Sequence, residues 1–116
     1  MNGLVMFATI MFVIQTAHSI EELTAGFHKK WYLFKMPFRV FLAFEIIFET
    51  FWLFVLLLEN FPYRIQLLTF FIFLMLANGI QHIVWAGAVK RYVPGLITSP
   101  LFLIVFLIYY FQMVAK

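Results

Sequence analysis

Residues 4–22 read LVMFATIMFVIQTAHSIEE. From Leu4 to Ile14 the run is apolar apart from Thr9, and with its flanks it predicts a helix over about 3–23. About 20 largely apolar residues are what a helix needs to cross the hydrocarbon of a bilayer. The second half of the same stretch carries Gln15, Thr16, His18, Ser19, Glu21 and Glu22. Such a half cannot face lipid all round, so it must face other helices or a wet cavity. Ionisable groups at membrane depth are costly and mark functional sites by default.

Working outward, the composition agrees with a lipid-embedded chain. Of 116 residues 66% are hydrophobic and 11% are charged, where a soluble domain carries about a quarter charged residues. Seventeen Phe are more apolar bulk than one soluble core of this length can hide. Three further spans are predicted over about 38–58, 65–88 and 97–115. The fold class is therefore an all-α membrane protein: four transmembrane helices in an antiparallel bundle, forming one domain over 1–116. The first span has no basic segment before it and no clear cleavage site after it, so it is expected to be retained.

The turns fit this plan. Pro37 suits the first turn of span 2, and Pro94-Gly95 marks a turn before span 4. Thr98-Ser99-Pro100 offers a hydroxyl cap followed by an N1 proline. Loops 1 and 3 hold Lys29, Lys30, Lys35, Arg39, Lys90 and Arg91, while the other side holds Arg64 and Lys116. Six basic residues against two place both termini on the non-cytoplasmic side of the plasma membrane. Topology thus accounts for the net charge of +3, and no nucleic-acid partner is implied. Trp31 and Tyr32 beside the lysines of loop 1 read as an interfacial belt.

Polar residues recur on other spans at matching depth. At 1.5 Å per residue, His18 lies about 7 Å and His82 about 9 Å from the cytoplasmic ends of spans 1 and 3. Glu45 and Glu49 lie about 10 and 16 Å into span 2, and Asn78 about 15 Å from the end of span 3. Glu45 and Glu49 are four apart on one face, where two like charges call for a shared proton or a cation. His18 and Glu22 share a face at the same spacing, and Glu21 sits three from His18. Both glutamates can reach the histidine, and the spacing favours Glu22.

The expected site is a buried pocket of His18, Glu21 or Glu22, Glu45, Glu49 and His82, with Gln15, Asn78, Gln81 and Tyr92 as substrate contacts. With no cysteine, a metal would be held by imidazole and carboxylate, which suits Zn, Fe, Mn or Cu. Bundle metal sites are built from such side chains on facing helices. The sequence has one His-x-x-Glu rather than paired Glu-x-x-His motifs, and it lacks His-Glu-x-x-His.

His18-Ser19-Ile20-Glu21-Glu22, the second histidine His82 and Tyr92-Val93-Pro94-Gly95, taken in order, resemble the HXXEE-motif family of small bacterial membrane proteins. The resemblance runs from span 1 to the start of span 4. It singles out the same residues and implies no particular reaction.

Three functions are compatible with these residues. The first is an intramembrane enzyme, metal-dependent or acid/base, acting on a lipophilic or amphiphilic small substrate near the cytoplasmic face. It would be a hydrolase or an oxidoreductase, with His18, Glu22, Glu45, Glu49 and His82 as the reacting set. The second is a proton- or cation-coupled transporter, which with four spans would need a homo-oligomer. The third is a non-catalytic accessory or immunity-type subunit of a partner protein.

Overall fold

A computed structural model describes residues 2–115; Met1 and Lys116, the latter counted above for orientation, lie outside the described residues. The chain is all-helical, 77% helix, with no strand among the described residues. Helix α1 spans Gly3–Thr24, and the Asn2 side chain caps it by accepting from the Val5 N–H at 2.8 Å. Helix α3 spans Phe38–Leu57 directly after Pro37, and α4 spans Arg64–Val89. These three helices are long and apolar enough to cross a membrane. Their outward faces carry exposed Ile47, Leu57, Ile65, Phe70 and Val84, which is the surface a membrane protein gives to lipid.

The structure departs from the sequence reading in three places. Loop 1 contains a short helix, α2 (Phe27–Lys30), entered through Gly26 in the left-handed region. The fourth apolar segment starts at Ser99, and its α-helix, α5, ends at Tyr109 before a π-helical turn over Tyr110–Val114. At 1.5 Å per residue, Ser99–Val114 reaches about 24 Å, short of the ~30 Å hydrocarbon core. The Thr98 hydroxyl makes no cap bond to α5, and Pro100 stands at the second helical position. A carboxylate from α1 satisfies the backbone there instead.

Two further contacts fix the frame. Arg64 donates from Nε to the Val55 carbonyl at 2.8 Å and from Nη2 to the Leu56 carbonyl at 2.6 Å. These are carbonyls left without partners at the end of α3, so one side chain closes the turn between α3 and α4. On α4, a Cβ at Gly79 would lie 2.9 Å from the Ser99 carbonyl, so glycine lets α4 and α5 approach closely.

The core has two parts. One is Phe7, Met11, Trp52, Phe71, Met75 and Phe102, between α1, α3, α4 and α5. The other is Phe27, Phe41, Trp85 and Val93, under loops 1 and 3. Two imidazoles join them: His18 meets Phe102 edge-on at 5.2 Å, and His82 meets Phe27 at 5.7 Å.

Candidate functional site

His18 and Glu22 stand one turn apart on α1, and His82 projects from α4 toward both. Both histidines are fully buried, and Glu22 is 5% exposed. The two Nε2 atoms are 3.2 Å apart. Glu22 Oε2 lies 3.7 Å from Nε2 of His18 and 3.3 Å from Nε2 of His82. Two bare imidazole lone pairs cannot face each other at such a distance, so a proton or a cation must lie between them.

Glu21 faces elsewhere, and its partners decide the tautomer of His18. It accepts from the Tyr92 hydroxyl at 2.6 Å, the Ile97 N–H at 3.1 Å and the Thr98 N–H at 3.0 Å. It also accepts from the Thr98 hydroxyl at 2.8 Å. Four donors and no acceptor surround it, so it caps the start of α5 as an anion would. Since the Thr98 proton is directed at Glu21, Thr98 Oγ1 accepts from His18 Nδ1–H, 2.6 Å away. That leaves the lone pair of His18 on Nε2, facing His82 and Glu22. Partial burial and the Glu21 carboxylate push the Tyr92 phenol up to about 12, which keeps it a donor.

Gly95 holds the histidine pair from the other side. Its φ is +96°, and a Cβ there would lie 2.6 Å from His82 Cε1 and 2.7 Å from His18 Cε1. His82 Nδ1 is buried against this turn with no hydrogen-bond partner among the described residues.

The α3 carboxylates sit one step away from the trio. Ser19 donates to Glu45 and, at 3.5 Å, to Glu49; Thr16 donates to Glu49 at 3.1 Å. The Ser19 hydroxyl thus reaches both members of the pair expected to share a proton or a cation, and Thr16 reaches Glu49. Glu45 is buried and lines a cavity of about 690 Å³ together with Glu22, Gln15, Asn78 and Gln81.

Of the residues expected at one site, the structure gathers His18, Glu22 and His82 into one cluster of potential metal ligands. Glu21, Glu45 and Glu49 lie outside that cluster: Glu21 and Glu49 accept at both oxygens, and Glu45 accepts from Ser19 at one. Tyr92 is not among the residues that line the cavity; its hydroxyl donates to Glu21. Gln81 lines the cavity, but its Oε1 accepts from Trp31 and Tyr32, so the expected interfacial belt also ties loop 1 to α4. Four residues that shape the site were not expected there: Thr98, Ser19, Gly95 and Trp31. Ser19 and Thr16 carried a usable signal, being three apart on the helix that must face Glu45 and Glu49.

The trio has the dimensions of a metal site. The circle through three atoms separated by 3.2, 3.3 and 3.7 Å has a radius of about 2.0 Å. Imidazole nitrogen and carboxylate oxygen bind zinc at about 2.0–2.2 Å, so one ion can reach all three atoms without moving any of them. Two histidines and one carboxylate leave a coordination position open.

A family model described as a protein of unknown function with HXXEE motif matches residues 9–110. No curated protein and no solved structure matches the chain.

Proposed function

The chain belongs to the HXXEE family, and from that premise and the site's geometry we propose that it is an intramembrane metal-dependent enzyme acting on a lipophilic or amphiphilic small molecule. The observation that carries this reading is the point about 2.0 Å from His18 Nε2, His82 Nε2 and Glu22 Oε2. A divalent ion there, Zn, Fe, Mn or Cu, would activate water or bind oxygen. Glu22 also lines the apolar cavity, which joins the ion to a space suited to a lipid-like substrate. Thr98 and Glu21 hold His18 in the tautomer that offers Nε2, as the hydrogen-bond partners of metal-bound histidines do.

In this reading α5 and the π-helical turn form a fourth span. Both termini lie outside the plasma membrane, and the site lies in the cytoplasmic half of the bilayer. The other half is packed with Phe7, Met11, Phe71 and Tyr109. Such a core offers an ion no polar path, which favours an enzyme over a transporter.

The test is turnover. Metal-loaded protein incubated with extracted membrane lipids is expected to change the lipid profile read by mass spectrometry, and His18→Ala protein is expected to leave it unchanged. An unchanged profile with loaded wild-type protein removes the enzyme reading.

The Thr98 hydroxyl gives a second expected outcome. In Thr98→Val protein, His18 Nδ1–H loses its acceptor while the Thr98 backbone N–H still caps onto Glu21. Metal affinity should fall about 10–100-fold, the usual cost of losing an outer-shell partner, and Thr98→Ser should restore it. Competition with a chelator of known affinity measures both.

A further inference from the structure

The cavity beside the trio has a chemistry of its own. It lies between α1, α3, α4 and loop 1, and its apolar lining is dominated by Phe, with Met36, Met75 and Trp31. Its polar lining is uneven. Glu22, Glu45, Gln15, Asn78 and Gln81 supply it, and no Lys, Arg or His is among the described residues that line it. Asn78 Oδ1 already accepts from Gln81 Nε2, and Gln81 Oε1 from Trp31 and Tyr32. Gln15 differs: it is 3% exposed, and its Oε1 has no partner among the described residues. A buried carbonyl oxygen without a donor costs stability unless a ligand supplies one.

We infer that the cavity binds a single-chain amphiphile with an ammonium head, the head seated between Gln15 Oε1 and the Glu45 carboxyl and the chain lying along Phe41, Phe44 and Phe48. This rests on the proposed function and names its substrate class. The acceptors of the lining match the N–H donors of an ammonium group, and hydrogen bonds to charged groups are among the strongest. A phosphate, sulfate or carboxylate head would instead meet the Glu45 carboxyl at this seat, with no Lys, Arg or His among the described lining residues to pair with it. The volume falls within the range of sites that enclose small-molecule ligands, about 300–1,000 Å³.

Trp31 makes the inference measurable without turnover. The protein is placed in phosphatidylcholine nanodiscs and titrated with a brominated long-chain alkylamine, then with the fatty acid of the same length. Both titrations are corrected for partition into empty discs. Quenching that is lost in Trp31→Phe protein reports occupancy of the cavity. The amine is expected to bind at least about tenfold more tightly than the acid, and Glu45→Gln or Gln15→Leu to remove most of that preference. Native mass spectrometry of the wild-type protein with the two amphiphiles gives the same comparison without a variant. Equal binding of amine and acid, or no quenching of Trp31, overturns the inference. Metal content of the same samples separates the two readings: a preference without metal leaves the ligand and removes the metal, and metal without a preference does the reverse.

Discussion

His82→Ala protein is expected to purify with less than about a tenth of the metal bound by wild-type protein. His82 is the one member of the trio that α1 does not supply. Without it, His18 and Glu22 remain as two donors on one helix, with nothing across the interface to close the site. Losing an outer-shell partner already costs about 10–100-fold in metal affinity, and losing a ligand costs at least as much. The imidazole is fully buried, so truncation also leaves a hole beside Phe27 and Trp85. That hole is expected to lower stability by about 2–4 kcal/mol. Two comparisons separate metal loss from general damage. His28→Ala removes a histidine outside the trio and should leave the metal content unchanged. Free imidazole added to His82→Ala protein can fill the hole and should return metal to it. The measurement is elemental analysis of protein purified in the same detergent, with circular dichroism to report helix content. Metal retained in His82→Ala protein, or lost equally in His28→Ala protein, refutes the trio as the binding site.

The same trio shows what the sequence could and could not disclose. The long helices were legible because apolar runs of bilayer length are rare in soluble chains and Pro37 and Pro94-Gly95 interrupt them. That His18, Glu22 and His82 come level with one another was legible too, since helical rise converts sequence position into relative height. Rotation about each helix axis was not. Glu21 and Glu22 flank the histidine's face at three and four residues' spacing, and helix geometry alone separates them weakly. Their roles diverge because α5 begins beside Glu21 and offers it the N–H groups of Ile97 and Thr98. That is a contact across more than seventy residues, with no local signature. Glu45 and Glu49 come level with Ser19 and Thr16 of α1. The hydroxyls of Thr16 and Ser19 hydrogen-bond them beside the trio, a role that two hydroxyls three apart on α1 hint at but do not assign. The helix type at the end of the fourth segment was hidden for another reason. An apolar run predicts length but does not reveal the loosening of Tyr110–Val114 into a π-helical turn.

Gly95→Ala is expected to be the most damaging single-methyl change in the chain, and the reason is steric on two counts. With φ at +96°, the backbone occupies a region that costs an L-residue about 1–2 kcal/mol. The added Cβ would also lie 2.6–2.7 Å from His82 Cε1, His82 Nδ1 and His18 Cε1. Overpacking of this kind costs about a further 1–3 kcal/mol. The rings have little room to yield, since both are fully buried, His18 Nδ1 is tied to Thr98 and the two Nε2 atoms already stand 3.2 Å apart. Any relief must turn the imidazoles, and that moves the nitrogens off their common point. Gly26→Ala is the matched comparison. Gly26 also has positive φ, at +80°, but a Cβ there meets only the flexible Lys29 and Lys30 side chains at 3.6–3.8 Å. It should carry the backbone cost alone and keep its metal. Thermal unfolding in detergent is expected to rank Gly95→Ala about 1–3 kcal/mol below Gly26→Ala, with metal lost only from the former. If the two variants lose the same stability and both keep their metal, Gly95 serves only as a turn and the packing of its Cα on the histidine pair is not what holds the trio in register.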